Sequence, residues 1–154
     1  MSQDESSVIL RRILSEYKTV AVVGVSKDPS KDSHIVARYL ESSGYDVIPV
    51  NPFYQELLGK KSYRSLLEIE EETAKRLNIV DIFRPSPDVP PIVDQAIQLR
   101  KKYGKPEIIW MQLGIINDEA AKAARDAGMI VVMNKCIKIE HAKMRSAEKV
   151  SNEV

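Results

Sequence analysis

The chain lacks the features that mark secreted, membrane-spanning or nucleic-acid-binding proteins. Its 154 residues include one cysteine, Cys136, so no internal disulfide can form. No apolar run approaches the ~20 residues that a membrane-spanning helix needs. The formal net charge is +1, which leaves no basic excess for nucleic acid. The polar, acidic opening segment MSQDESS predicts no secretory signal peptide, and we therefore expect a cytoplasmic protein without a membrane partner.

The composition is that of an ordinary globular protein. Hydrophobic residues make up 44% of the chain and charged residues 29%. A chain of this length is sufficient for one domain with a sizeable core. We therefore expect residues 1–154 to form a single domain, with its core at about 7–145 and a polar C-terminal tail.

Apolar strand patterns alternate with helical patterns along the chain. Strands are predicted at 19–23, 45–50, 79–83, 108–111 and 129–133. Helices are predicted at 8–17, with Asp4 or Ser6 as its cap, at 34–43, 64–69, 89–102 and 118–127, and from 137 onward. Pro49 is expected at a strand end, since proline cannot donate to a ladder. The alternation predicts an α/β fold, a doubly wound, Rossmann-like parallel sheet of about five strands with helices on both faces.

In such sheets a ligand lies at the carboxyl ends of the strands, so the loop after the first strand is the leading candidate. Gly24 permits close approach of the backbone to a ligand. Ser26, Lys27 and Ser33 supply hydrogen-bond donors for phosphate oxygens, and His34 stands beside them at the start of the helix. The alternatives are a plain tight turn at Gly24, a solvated charge at Lys27 and an exposed helix-terminal residue at His34.

The fingerprint of a nicotinamide dinucleotide site is incomplete. That site needs G-x-G-x-x-G, but Ser26 occupies the second glycine position. It also needs a carboxylate at the end of the second strand for the ribose hydroxyl. Here that strand ends in Val50-Asn51-Pro52, and Asp46 lies at its other end. The loop therefore favours a pyrophosphate carried by something other than NAD.

The motifs, taken in order, resemble those of the small stand-alone CoA-binding proteins. Their distant relatives are the CoA-binding Rossmann domain of succinyl-CoA synthetase α subunits and related acyl-CoA ligases. The matching segments lie within residues 19–141 and are VAVVGVSKDPSK, GYDVIPVNP, LLGKKSYRSL, IVDIFRPSPDVPPIVDQAI, IIWMQLGI and AGMIVVMNKCIKIEH. The resemblance implies that coenzyme A, free or as an acyl-CoA, binds at the strand ends.

The resemblance also implies which loops contact each part of CoA. The pyrophosphate would face the first loop, namely Gly24, Val25, Ser26 and Lys27. The adenosine would be bordered by two residues after the second strand, Asn51 and Pro52. The adenine or pantetheine path would be lined by Phe83, Arg84, Pro85 and Pro87. The pantetheine arm would contact Gln112, Leu113 and Gly114.

The ligase chemistry is not carried over with the resemblance. Succinyl-CoA synthetase uses a phosphorylated histidine in a second domain, whereas His34 and His141 lie in no such segment. His141 with Glu140 is expected to form a surface ion pair rather than a metal site. We therefore expect a binding module with no catalytic or metal-binding residues. The alternatives are an NAD(P)-dependent oxidoreductase and an accessory CoA-binding subunit of an acyl-CoA ligase; a homo-oligomer or an enzyme partner also fits.

Cys136 follows the fifth predicted strand, on the side where the ligand is expected. Two interpretations remain open for it. Its thiol could form a mixed disulfide with the thiol of CoA, or its side chain could serve as a small buried hydrophobe.

Overall fold

The computed structural model describes residues 6–153, and side chains through residue 150. The helices are α1 Ser7–Glu16, α2 Asp32–Ser42, α3 Glu71–Ala74, α4 Val89–Tyr103, α5 Asp118–Asp126 and α6 Ile137–Glu153. The strands are β1 Thr19–Val23, β2 Asp46–Val50, β3 Glu56–Leu57, β4 Lys60–Lys61, β5 Ile79–Ile82, β6 Ile108–Met111 and β7 Ile130–Val132. Single 3₁₀ turns cover Leu66–Glu68 and Ser86–Asp88.

Five strands form one parallel sheet in the order β2-β1-β5-β6-β7. The chain moves outward in one direction from β1 to β2 and then returns to add β5, β6 and β7 on the other side. The strand order therefore reverses between β1 and β5, which creates a crevice at their carboxyl ends. The predicted five-stranded parallel α/β fold is confirmed.

Side chains of the sheet alternate between two cores, because successive strand residues point to opposite faces. Val22 and Trp110 pack on the face that α1, α2 and α6 cover. Val23 and Met111 pack on the face that α4 and α5 cover. All five residues of β1 are buried. Helices therefore lie on both faces, as the sequence predicts.

Several element ends differ from their predicted positions. The helix α2 begins at Asp32 rather than at His34, because the amides of His34 and Ile35 already donate to the Lys31 carbonyl. Ser6 caps α1 by accepting from the Ile9 amide, while the other candidate cap, Asp4, lies outside the described residues. These shifts leave the order of elements unchanged.

The region after β2 differs most from prediction. The predicted helix at 64–69 is only the turn Leu66–Glu68, and the two-residue strands β3 and β4 form an unpredicted hairpin. Pro49 lies inside β2, so its predicted place at the strand end is wrong. The strand tolerates it because β2 is an edge strand, where a missing N–H breaks no ladder bond.

Candidate functional site

Gly24 lies at the point where the strand order reverses. Its amide donates to the Val50 carbonyl of β2 at 2.9 Å, and the Phe83 amide donates to the Val23 carbonyl at 2.9 Å. Its φ is +92°, and a Cβ at this position would stand 2.9 Å from the Phe83 carbonyl oxygen. Both the positive φ and the close approach require glycine. Gly24 thus joins the ends of β1, β2 and β5.

Ser33 and His34 hold the loop that follows Gly24. The Ser26 amide donates to the buried Ser33 Oγ at 2.8 Å. The His34 Nδ1 atom lies 2.8 Å from the Ser26 carbonyl oxygen. A carbonyl can only accept, so Nδ1 carries the proton of this bond. Both side chains, predicted as groups near a phosphate, therefore position the Ser26 backbone from the first turn of α2.

Asn51 holds the same loop from the other side. Its Nδ2 donates to the Val25 carbonyl at 2.9 Å, and its Oδ1 accepts from the Phe53 amide at 2.9 Å. The Val25 side chain is fully buried, so this residue presents only its backbone to the crevice. Pro52 and Phe53 are exposed directly beyond Asn51. The end of β2 is thus tied to the loop after β1 by a side-chain amide.

The loop presents unpaired amides at the beginning of a helix. Within the described residues, the N–H groups of Val25, Lys27, Asp32 and Ser33 donate to no protein acceptor. Two of these four belong to the first turn of the 11-residue helix α2. The unpaired amides and the positive end of the helix dipole make this position suitable for an anion.

The loop after β1 carries an acidic side chain, Asp28, next to the cation Lys27. Asp28 accepts hydrogen bonds from the Ser30 amide and from its hydroxyl, and the backbone bond is the main cause that lowers the pKa of Asp28. Lys27 Nζ lies 6.0 Å from the centre of the Tyr54 ring. The Lys27 ammonium pairs with no carboxylate among the described residues, so it is available to an anionic ligand.

The loop after β5 presents a cation and two prolines. Arg84 forms an ion pair with Asp88 at 3.1 Å, and both side chains are about half exposed. Pro85 precedes the 3₁₀ turn Ser86–Asp88 and Pro87 lies within it, and both prolines are exposed. A phosphate near Arg84 would therefore compete with Asp88 for its guanidinium.

The loop after β6 is joined to the start of α6. The buried Gln112 accepts a hydrogen bond at Oε1 from the Ile137 amide, at 3.0 Å. The Gly114 amide donates to Asn134 Oδ1 at 2.7 Å, and Asn134 holds a positive φ of 59°. Leu113 remains exposed between these two anchors. Two loops of the carboxyl edge are thus fixed against each other.

A pocket of about 330 Å³ opens between these loops, α2 and α6. Three of the predicted site residues, Phe83, Gln112 and Leu113, line it together with Cys136. Its other lining residues were missed. Ile115 lies in the loop after β6, and the rest lie on helices rather than at strand ends: Asp32, Ile35, Val36, Lys138 and Ile139. No sequence signal singles them out, because only the structure shows that Ile35 and Ile139 are large apolar residues left exposed.

Asp81 is a further residue that was not predicted from the sequence. It lies in the middle of β5, is fully buried, and neither carboxyl oxygen has a hydrogen-bond partner among the described residues. Burial raises the pKa of Asp81 well above its usual range. Its register partners are Val22 and Trp110. A single acidic residue inside the apolar strand IVDI is the signal that points to it.

His141 lies away from this edge of the sheet. It is buried rather than exposed, and its Nδ1 is 2.8 Å from the Tyr39 hydroxyl. Burial lowers the pKa of His141, and the Lys18 and Arg145 charges lower it further. The predicted surface ion pair with Glu140 is therefore wrong. No cluster of possible metal ligands occurs within the described part of the chain.

The sheet order and the loop after β1 define an α/β protein whose switch point is suited to an anionic group. The CoA binding domain family matches residues 18–142. The uncharacterized protein YneT of Bacillus subtilis is 35% identical over 140 residues, which are 91% of this chain and 97% of YneT. The chain belongs to the CoA binding domain family, and this membership supports CoA binding in general.

Two further similarities extend the comparison. The solved structure of a hypothetical protein from Pyrococcus horikoshii OT3 matches with a TM-score of 0.83 and 38% identity, covering 94% of this chain and 96% of that one. An ADP-forming acetate–CoA ligase of Methanocaldococcus jannaschii is 29% identical over 85 residues, which are 55% of this chain but 12% of the ligase. Within residues 6–153, no helix has both the length and the apolar character needed to cross a membrane.

Proposed function

We propose that this protein is a cytoplasmic CoA-binding domain, formed by the whole chain, that holds CoA or an acyl-CoA and catalyses no reaction. The observation that carries the proposal is the set of unpaired amides at Lys27, Asp32 and Ser33, beside Gly24 at the switch point. The pyrophosphate of CoA carries two negative charges to such a position. The matched family supports CoA as the ligand that brings them.

The remaining loops suit the other parts of CoA. In the proposed pose, the adenosine lies toward Asn51 and the exposed Pro52, beyond β2. The pantetheine arm runs the other way, past Phe83 toward Gln112 and the pocket beside it. This direction is favoured because the pocket combines apolar side chains with one buried amide, as an arm of methylenes and amides requires.

A dinucleotide is the second candidate ligand, and the residues at the end of β2 argue against it. Asn51 occupies the position where a ribose-binding carboxylate would stand, and both polar groups of its amide are already used by the backbone. Asp46 lies at the opposite end of β2, where it pairs with Arg76. Within the described residues, no carboxylate at the end of β2 is therefore placed to receive the ribose hydroxyls of NAD.

We expect CoA, and neither NAD nor NADP, to stabilise the protein against heat. At a CoA concentration 100-fold above Kd, the melting temperature should rise by roughly 5–10 °C, since ligand binding to the folded state adds about 2.7 kcal/mol. A thermal shift assay with each ligand alone measures this. Stabilisation by NAD without stabilisation by CoA would replace the proposed function with an oxidoreductase.

Two cations at the crevice are expected to contribute to affinity. Lys27→Ala and Arg84→Ala should each weaken CoA binding by roughly 1–3 kcal/mol, the strength of a charge-assisted hydrogen bond to phosphate. Isothermal titration calorimetry measures the change. Lys75→Ala is the matched control, because Lys75 forms an exposed ion pair with Glu71 four residues away, as Arg84 does with Asp88, but precedes β5 rather than following it. Equal, unchanged affinity in all three variants would remove both cations from the site.

The proposal of a partner is tested separately. An accessory subunit would co-purify with a ligase. The question arises because this chain matches only 12% of the archaeal ligase, which leaves the rest of the ligase to another chain in this hypothesis. Size-exclusion chromatography with light scattering separates a monomer or a homo-oligomer from a mixed complex. A monomer or a homo-oligomer alone would count against the accessory role.

A further inference from the structure

Cys136 lines the pocket at the carboxyl edge of the sheet. It is half-buried and directly precedes α6, whose first backbone bond runs from the Glu140 amide to the Cys136 carbonyl at 3.0 Å. The loop before it is fixed, since the Lys135 carbonyl accepts from Trp110 Nε1 at 2.7 Å. The thiol is therefore held in one place and faces a cavity.

Gln112 gives an independent indication that this cavity takes a ligand. Its residue surface is 4% exposed, and its Oε1 must face the Ile137 amide because that group can only donate. The amide Nε2 is thereby directed away from α6 and donates to no acceptor among the described residues. It is also absent from the fully buried, unpaired side-chain atoms, which belong to Ser62 and Asp81. A nearly buried donor is thus left facing the pocket, where it can bind a carbonyl oxygen.

The rest of the pocket wall is mostly apolar. Val36 and Phe83 form part of it, and Ile35, Leu113 and Ile139 stand at its rim with 39%, 64% and 45% of their surfaces exposed. One amide donor, an apolar wall and a thiol match the end of a pantetheine arm, which carries an amide carbonyl, two methylenes and a sulfur.

We propose that Cys136 is a covalent attachment point for the sulfur of CoA, filled by thiol–disulfide exchange with a CoA disulfide. The Cys136 thiolate attacks one sulfur of the disulfide, so the bond between Cys136 and CoA forms as the CoA–CoA sulfur bond breaks. Cys136 and the attached CoA end as a mixed disulfide, and the second CoA leaves as a thiolate. That thiolate takes up the proton that Cys136 released, so the CoA disulfide is the oxidant and no other is needed. The inference rests on the proposed function, because CoA must first occupy the site.

The test compares three disulfides of different size and recognition. Reduced protein is incubated with CoA disulfide, glutathione disulfide or cystamine at equal concentration, and adduct formation is followed by intact-mass spectrometry. We expect one CoA per chain, formed at least about tenfold faster than either other adduct, because binding raises the effective concentration of the reacting sulfur. Cys136→Ser should form none. Equal rates with all three disulfides, or no CoA adduct while iodoacetamide labels Cys136, would overturn the proposal.

Gln112→Leu tests whether the pocket itself directs the reaction. This variant should lose most of the preference for CoA disulfide over glutathione disulfide. Each rate is taken relative to iodoacetamide labelling of Cys136, which corrects for the lost hydrogen bond to the Ile137 amide. An unchanged preference would contradict the role given to the amide. Calorimetry with reduced CoA and Cys136→Ser, in the presence of a phosphine reductant, separates the two proposals. Normal binding without a wild-type adduct overturns only the attachment, whereas absent binding in both proteins overturns the proposed function.

Discussion

Gly24→Ala is expected to destabilise the protein by roughly 2–5 kcal/mol and to weaken CoA binding at least about tenfold. The positive φ of 92° costs a residue with a Cβ about 1–2 kcal/mol. The contact of 2.9 Å with the Phe83 carbonyl adds about 1–3 kcal/mol, because backbone must move to relieve it. Moving Phe83 or the loop also displaces the amides that we propose to bind the pyrophosphate. Chemical denaturation and calorimetry measure the two effects.

Gly44→Ala is the matched control for this substitution. Gly44 has nearly the same φ, 93°, but a Cβ there would meet no atom within 4 Å. It ends α2 at the other edge of the sheet. We expect this variant to be destabilised only by the positive φ, by about 1–2 kcal/mol, and to bind CoA as the wild type does. If the two variants lose equal stability and both keep their affinity, the close approach at Gly24 has no structural or binding role.

Asp81→Val is expected to stabilise the protein at neutral pH by roughly 2–4 kcal/mol. The substitution removes two buried oxygens without partners and places a β-branched side chain between Val22 and Trp110, in a strand buried on both faces. Urea denaturation at several pH values measures the gain. A loss of stability with valine at neutral pH would show that the carboxyl has a partner or a role that its position does not reveal.

The contribution of Asp81 to the free energy of unfolding should depend on pH. Burial raises the pKa of Asp81 in the folded protein, so above about pH 4 the folded state binds a proton that the unfolded state has released. The contribution of Asp81 to stability is therefore complete below about pH 4 and is lost as the pH rises toward the folded pKa. Asp81→Asn should remove this slope without restoring the missing partners. The exposed Asp94→Asn, on α4, should leave the slope unchanged.

The predicted and observed folds agree where the sequence pattern is local and strong. The five sheet strands are runs of β-branched and aliphatic residues, and their predicted ends are correct to within one residue. The hairpin of β3 and β4 was missed because two residues cannot show a period. The turn at Leu66–Glu68 was predicted as a longer helix, since its apolar spacing suits either structure.

The candidate site divides in the same way. A small-residue turn after a strand predicts a loop near a ligand, and Gly24 and Ser26 were found by that rule. The contacts that hold the loop could not be predicted. Ser33 and His34 are equally suitable as phosphate donors, and only the structure shows that they bond to the Ser26 backbone. Asn51 likewise contacts Val25 across 26 positions of chain.

The sequence alone determined the succession of strands and helices along the chain and the parallel pairing of the strands. It also determined the absence of a dinucleotide fingerprint and the loops that lie at the carboxyl edge. These follow from periodicity and turn chemistry, which act between residues close in the chain. Only the tertiary structure decided that Gly24 must be glycine because of Phe83, that Gln112 binds the start of α6, and that Cys136 shares a pocket with that amide. Each of these contacts joins residues at least 24 positions apart, and parallel strand pairing, rather than any local preference, brings them together.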